Sequence, residues 1–392
     1  MINYEQMAAH VPAPGVAPDW AWLLHAIPAL QLLEATPQDP YYHAEGDVWT
    51  HTRMVLETLM RGPEYIEGNA HERFILFYAA LLHDIAKPAT TVMDADSGRI
   101  GQPGHSKRRA IDARILCWHA GVPFALREQV CRIISVHQLP FFALAGNKRG
   151  QSAEFLVRKL SHELDLRLLA AVAQADMEGR HFEKKSDCLV DIELFRELAR
   201  DEGCYGVARP FADVHTQLSY FRGAAIAPDF AHHQNAGSHV TMMSGLPASG
   251  KNYWVAQNRA ALPVVSIDDA RQALGLRHGA NEGAVAHRAV DFARQLLRTQ
   301  EPFVWNTTHL SAQMRNKTLD LLYAYDAQVE LVYLEQPPQV LFQRNHRRDS
   351  SLPNKAIERM LFKWEVPLPT EAHVVAPALV SCAVRAVSVH HR

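Results

Sequence analysis

The hydrophobic rhythm of this 392-residue chain changes once, near residue 205, and that change limits its possible folds more than any motif does. From about 18 to 204 the apolar residues recur at helical spacing, as in "VWTHTRMVLETLM", "ERFILFYAALLHDIAK" and "EQVCRIISVHQL". This half is expected to be all helix. From 238 onward the short apolar runs "HVTMMSG", "PVVSIDD", "FVWNTT" and "VELVYLE" end in polar or turn residues and are separated by longer helical stretches. That alternation predicts a parallel sheet with helices on both faces. Residues 206–237 combine Gly, Pro and His with Phe211, Tyr220, Phe221 and Phe230, which suits an ordered connector better than a floppy linker. The expected organisation is a helical domain over 1–205, a connector over 206–237 and an α/β domain over 238–392.

Length and composition agree with several domains. A chain of 392 residues exceeds one ordinary core, and 48% hydrophobic residues can fill more than one. The formal charge of -2 gives no global polyanion signal, so any nucleic-acid contact must come from local Arg and Lys clusters. Cys117, Cys131, Cys188, Cys204 and Cys382 show no C-x-x-C spacing and are odd in number, which argues against a disulfide framework or a zinc-thiolate site and for the reducing cytosol. The start "MINYEQMAAHVPAPG" lacks a basic, apolar leader, and the longest apolar run, "FILFYAALL", is far below the roughly 18 residues of a membrane span. Neither export nor a membrane span is expected. The 22 histidines invite a search for metal ligands.

His51 has Val48 and Val55 on its own helical face, His137 has Val130, Ile133 and Ile134 behind it, and Asp176 follows Leu168, Leu169, Val172 and Ala173. Each should therefore point inward. A single inward histidine is ordinarily a hydrogen-bonded core residue. His51, His83, Asp84, His137 and Asp176 together, delivered by four helices, point instead to a divalent metal, more in keeping with manganese, iron, nickel, zinc or magnesium than with calcium. His105, in "PGHSKRR", has no such stripe behind it.

The set His51, "LLHDIAKP", His105, His137 and "ADMEGR" resembles the HD phosphohydrolase superfamily, and in particular the HD domain of bacterial tRNA nucleotidyltransferases, over most of residues 40 to 181. The resemblance implies that His51, His83, Asp84 and Asp176 hold one metal, with His105 and His137 available for a second. Such a metal lowers the pKa of a bound water and polarises a phosphoryl oxygen for hydrolysis. Lys87, one turn after Asp84, and Arg180 are candidate phosphate contacts, with solvated surface charge as the competing reading.

In the second half, "GLPASGKN" follows a strand candidate and precedes a helix candidate, so the loop amides and the helix N-terminus can face phosphate. The nucleotide-binding set is Gly245, Ser249, Gly250, Lys251 and Asn252. The usual hydroxyl after the lysine is replaced by Asn252. In open parallel sheets ligands lie at the carboxyl ends of strands, and here Asp268 and Asp269 follow the second run and Asn306 ends the third. Asp268 is read as the base that accepts the proton of an attacking hydroxyl, and Asp269 as a helix cap or a supporting group. "PPQVLFQRNHRRDSSLP" should form a helix after the last strand with Arg344, Arg347 and Arg348 on one face, a lid that suits phosphate.

This half resembles the 5'-hydroxyl polynucleotide kinases of phages and bacteria over roughly 238 to 365. The resemblance implies that Asp268 is the general base, that Arg271 contacts a phosphate of the acceptor strand, and that Arg344 and Arg348 clamp the transferring phosphate. Two departures stand out: Asn252 for a hydroxyl residue, and Asn306 where phage enzymes carry an acid. ATP with magnesium or manganese is the implied cofactor set.

Both halves together look like the bacterial HD-Pnk family of RNA end-healing enzymes, an HD phosphoesterase fused to a kinase. The implied partners are RNA or DNA ends and a separate ligase. Two other assignments remain open on the residues: a small-molecule or nucleoside kinase fused to an HD nucleotidase, and a nucleotide sensor that switches the HD domain. In the former Arg271 would be dispensable, and in the latter Asp268 would be.

Overall fold

The amphipathic stripes of the first half fold into helices whose starts are capped by the residues that precede them. In the computed structural model, which describes residues 2–96, 98–142, 151–277, 279–347 and 352–379, Asp47 caps α1 (Val48–Leu59) by accepting from the Thr50 amide. Asn69 and Glu72 form a reciprocal capping box on α2 (Ala70–Leu82). α2 is buried on every side from Phe74 to Leu82, so it is the central post of the bundle rather than an amphipathic wall. Around it pack α1, α4 (Phe124–Val136) and α5 (Leu166–Glu178), with α3 (His105–His119) against α4 and α6 (Lys185–Asp201) against α5. The expectation of an all-helical half needs one correction. Val92–Met93 pairs antiparallel with Ile100–Gly101, a two-residue ribbon that no apolar period announces.

One glycine sets the distance between α1 and α5. A Cβ on Gly179 would stand 2.9 Å from both Cγ2 and the backbone nitrogen of Val55. The missing side chain lets the two helices approach where His51 and Asp176 face each other.

The chain divides into two compact units, Met1–His232 with Leu361–Lys363, and His233–Met360 with Trp364–Arg392. Residues from the expected connector join the first: Phe211, Tyr220 and Phe221 stack about Phe155 and His162, and Arg158 pairs with Glu202 while donating to the Tyr220 hydroxyl.

The second unit is a five-stranded parallel sheet with helices. In chain order its parts are β1 (His239–Ser244), α7 (Lys251–Asn258), β2 (Val264–Ser266), α8 (Ile267–Ala273), α9 (Glu282–Arg298), β3 (Phe303–Asn306), α10 (Ala312–Tyr323), β4 (Gln328–Glu335), α11 (Pro338–His346), α12 (Asn354–Leu361) and β5 (Val374–Leu379). The spatial order is β2-β3-β1-β4-β5, every pair parallel. The chain leaves β1 toward one edge and later returns to its other side, so a crevice opens at the carboxyl end of β1. The central strands are almost wholly buried because both faces are covered. β5 was not expected, and it places the arginine helix before the last strand rather than after it. Its Pro377 lies in an edge strand, where a missing amide hydrogen is tolerated.

Gly245 turns the chain out of β1 with a φ of 144°, and a Cβ there would lie 2.3 Å from the Leu334 carbonyl oxygen. Gly245→Ala is expected to lower stability by about 1–3 kcal/mol through strain and clash, read as a fall in Tm. No helix among the described residues is long and apolar enough to cross a membrane.

Candidate functional site

Helix ends converge inside the first unit. His51 leaves α1, His83 and Asp84 follow α2, His137 follows α4, and Asp176 lies in the last turn of α5. All five are at most 2% exposed. His51 Nε2 lies 3.0 Å from Asp176 Oδ1 and 3.3 Å from His83 Nε2. His83 Nε2 is 3.2 Å from Asp84 Oδ2, and His137 Nε2 is 3.4 Å from Asp176 Oδ2.

A repeated device fixes the tautomers. His83, His105 and His137 each donate Nδ1–H to the carbonyl three residues earlier, at Ala80, Gln102 and Ile134, at 2.7, 2.7 and 2.9 Å. A carbonyl can only accept, so each Nε2 is left with its lone pair. His51 is held from behind by a carboxylate instead, its Nδ1 lying 3.0 Å from Glu45 Oε1. Imidazole lone pairs and carboxylates therefore face one another in a dry interior. Asp84 Oδ2, buried, makes ion-pair contacts but has no partner in hydrogen-bond geometry. These donors fit a divalent metal: imidazole nitrogens and carboxylate oxygens, with the other ring nitrogen held from behind.

The electrostatics point the same way. Burial pushes the Asp84 and Asp176 pKa values up, but His83 and Lys87 beside the first, and the Arg180 guanidinium beside the second, hold both carboxyls well below the usual range. Burial opposes protonation of His51, yet hydrogen bonds to Asp176 and Glu45 raise its pKa. Burial and the Arg109 charge push His137 down to about 3, so its imidazole is neutral.

His51, His83 and Asp176 place their ligand atoms within 4.8 Å of one another. His137 touches this cluster through Asp176 Oδ2. His105 is half-buried, and Asp84, Lys87 and Arg109 are its charged neighbours. Lys87 and Arg180 are buried rather than surface charges: Lys87 Nζ meets Asp84 Oδ2 at 2.7 Å and Gln38 Oε1 at 2.5 Å, while Arg180 forks onto Asp176 at 2.6 and 3.0 Å. Sequence reasoning missed Glu45, His43, Gln38 and Arg109. For Glu45 the available signal was the run "HAEGD" just before the helix that carries His51.

In the second unit the loop after β1 places Gly250, with φ 104°, at the start of α7, where no side chain caps the helix amides. Uncapped amides at a helix N-terminus suit phosphate. Ser249 is buried with its Oγ unpartnered, and Lys251 Nζ donates to the carbonyls of Gly245 and Leu246 at 2.9 Å each. Arg344, exposed on α11, reaches this loop: a Cβ on Gly250 would lie 3.4 Å from its Nη1. Arg348 lies outside the described residues.

At the carboxyl end of β2, Asp268 is 85% exposed and accepts from Arg271 Nη1 at 2.8 Å, while Arg271 Nη2 reaches Glu282 at 3.0 Å. The cap of α8 is Ser266, whose Oγ accepts from the Asp269 amide at 3.0 Å, so Asp269 is not the cap. The two departures from the kinase pattern meet: Asn306 Nδ2 donates to Asn252 Oδ1 at 2.8 Å.

Two comparisons bear on these sites. The model of the AAA domain family matches residues 240–367. A multifunctional CCA protein from Halorhodospira halophila (strain DSM 244 / SL1) is 29% identical over 115 residues, which are 29% of this chain and 25% of that protein. The chain thus matches about a quarter of the length of its curated relative. A helical N-terminal region is therefore followed by an α/β domain with a five-stranded parallel sheet and a P-loop, consistent with a P-loop kinase, for which ATP with a divalent metal is the implied cofactor set.

Proposed function

We propose that this chain heals RNA ends: the α/β unit phosphorylates 5'-hydroxyl ends with ATP, and the helical unit is an HD-type phosphoesterase for 2',3'-cyclic phosphate and 2'-phosphate ends. The observation that carries the kinase assignment is the grouping, at the carboxyl ends of β1, β2 and β3, of a phosphate loop, an exposed Asp268 paired to Arg271, and Asn306. Such an arrangement serves in-line phosphoryl transfer: the loop amides and Lys251 hold the phosphates, Asp268 accepts the proton of the attacking hydroxyl, Arg271 grips the acceptor strand, and Arg344 with Arg348 closes over the transferring group. Magnesium, when bound, supplies charge neutralisation between the phosphates.

His51, His83, Asp84 and Asp176 would hold the metal of the helical unit, with His105 and His137 beside them. That ion, when bound, supplies an acidified water and a Lewis acid. Ribonuclease cleavage leaves a 5'-hydroxyl on one fragment and a cyclic phosphate on the other, so one chain would correct both ends. Sealing falls to a separate ligase, and DNA ends are an alternative acceptor.

The deciding experiment is transfer of labelled γ-phosphate to a short RNA with a 5'-hydroxyl, in magnesium or manganese, alongside hydrolysis of a 2',3'-cyclic end. Binding of ATP without transfer in either metal would favour a sensor, and transfer only to nucleosides a small-molecule kinase. The Asn pair adds a finer expectation. Asn306→Ala releases the Asn252 amide and raises the magnesium concentration for half-maximal transfer by about tenfold, as seen in a metal titration.

A further inference from the structure

Three cations surround the histidine and aspartate centre, and they are not alike. Lys87 is matched by Asp84, and Arg180 by Asp176. Arg109 is 1% exposed and forms no ion pair among the described residues. Its only hydrogen bond there runs from Nη1 to His137 Nε2, at a long 3.5 Å. Its Nε is buried with no partner at all. Asp84 and Asp176 attract it only from a distance, and burial lowers its pKa.

A guanidinium taken out of water without a carboxylate is costly, and it is retained where an anion comes to it. The Nε and Nη2 of one guanidinium form a planar fork that matches two oxygens of a phosphate. Arg109 stands on α3 one turn beyond His105, so it reaches the centre from a helix that supplies neither carboxylate. Its neighbour Arg108 is engaged elsewhere, with Asp112 at 2.7 Å.

We propose that Arg109 is the phosphate-recognising residue of this centre, its free fork taking two non-bridging oxygens of the ester while Lys87 and Arg180 hold the carboxylates. This deepens the phosphoesterase assignment of the helical unit and rests on it. Lys87 and Arg180 then act as positioning residues, each orienting a metal-binding carboxylate.

The test uses the full chain loaded with manganese, as wild type, Arg109→Met and Arg109→Lys. Three quantities are read: manganese stoichiometry, the Kd for inorganic phosphate by calorimetry, and KM and kcat on an RNA 2',3'-cyclic end. Arg109→Met is expected to raise the phosphate Kd and KM by about tenfold or more with manganese retained, and Arg109→Lys to recover part of the loss. An unchanged phosphate Kd in Arg109→Met overturns the proposal while leaving the phosphoesterase intact. Loss of manganese together with phosphate affinity, unrelieved in Arg109→Lys, also overturns it, because Arg109 would then be structural. Should Arg109→Met not fold, Arg109→Lys decides: retained metal with weakened phosphate binding supports the proposal, and wild-type affinity refutes it. A wild type that hydrolyses no phosphate end and binds no phosphate removes the underlying assignment instead.

Discussion

With Asp268 as the proposed general base, Asp268→Ala is expected to lower transfer of the ATP γ-phosphoryl group to a 5'-hydroxyl RNA by about 10²–10⁴-fold, the usual range for loss of such a group, with little change in ATP affinity. The specificity of that expectation comes from the local structure. Asp268 is 85% exposed and does not cap its helix, since Ser266 does, and Arg271 keeps Glu282 as a partner when Asp268 is gone. The substitution therefore removes a carboxylate without disturbing the sheet or the phosphate loop. Lys251→Ala differs in losing nucleotide affinity as well. Single-turnover transfer of labelled phosphate, paired with ATP titration, separates the two. Full transfer by Asp268→Ala would remove it from the base role.

Asp84→Ala has the largest expected effect on the helical unit, and on two quantities at once. It deletes a carboxylate proposed to hold the metal, so hydrolysis of the cyclic end should be lost. It also strands Lys87, buried at 4% exposure with Gln38 as its remaining partner, and breaking a buried pair in this way costs about 3–5 kcal/mol. Lys87→Met in the same chain should return much of the stability and none of the activity. Urea unfolding followed beside both assays tests this, and kinase activity should persist throughout. If Asp84→Ala kept phosphoesterase activity while Lys251→Ala abolished it, the assignment of activities to units would be reversed. The same carboxyls give the metal-free protein an acid limit. Both are held well below 3.8, so their contribution is complete above that value and lost as pH falls through their lower folded pKa values.

The two architectures were legible because their periods differ. Apolar residues on one stripe brought His51, His137 and Asp176 to one interior, and strand ends carried Gly245, Asp268 and Asn306 to one crevice. What escaped has physical reasons. The edge strand Val374–Leu379 is an apolar run, but it carries Pro377, and a proline inside a run argues against a strand unless the run lies at a sheet edge. Arg109 sits in "SKRRA", where composition suggests surface charge, and only the packing of α3 against α4 shows that one of those cations turns inward. Glu45 precedes its helix and reaches His51 from a loop, a contact without periodicity. The Ser266 cap won over Asp269 because the strand ends two residues earlier than the paired acids suggest.

The buried centre also sets a rule of electroneutrality. Glu45, Asp84 and Asp176 oppose Lys87, Arg109 and Arg180, so once the imidazoles are neutral, as metal ligands must be, the side chains sum to no net charge. A divalent cation entering this dry interior brings two uncompensated positive charges, which a phosphomonoester dianion, or a cyclic phosphate with hydroxide, cancels. Ion and anion are then thermodynamically linked, each raising the affinity of the other by the same factor. Under the proposed phosphoesterase assignment the corollary is kinetic: inorganic phosphate, the dianion left by removal of a 2'-phosphate, is expected to be held firmly by the charged centre and to slow turnover, and added phosphate should shield the metal from chelators.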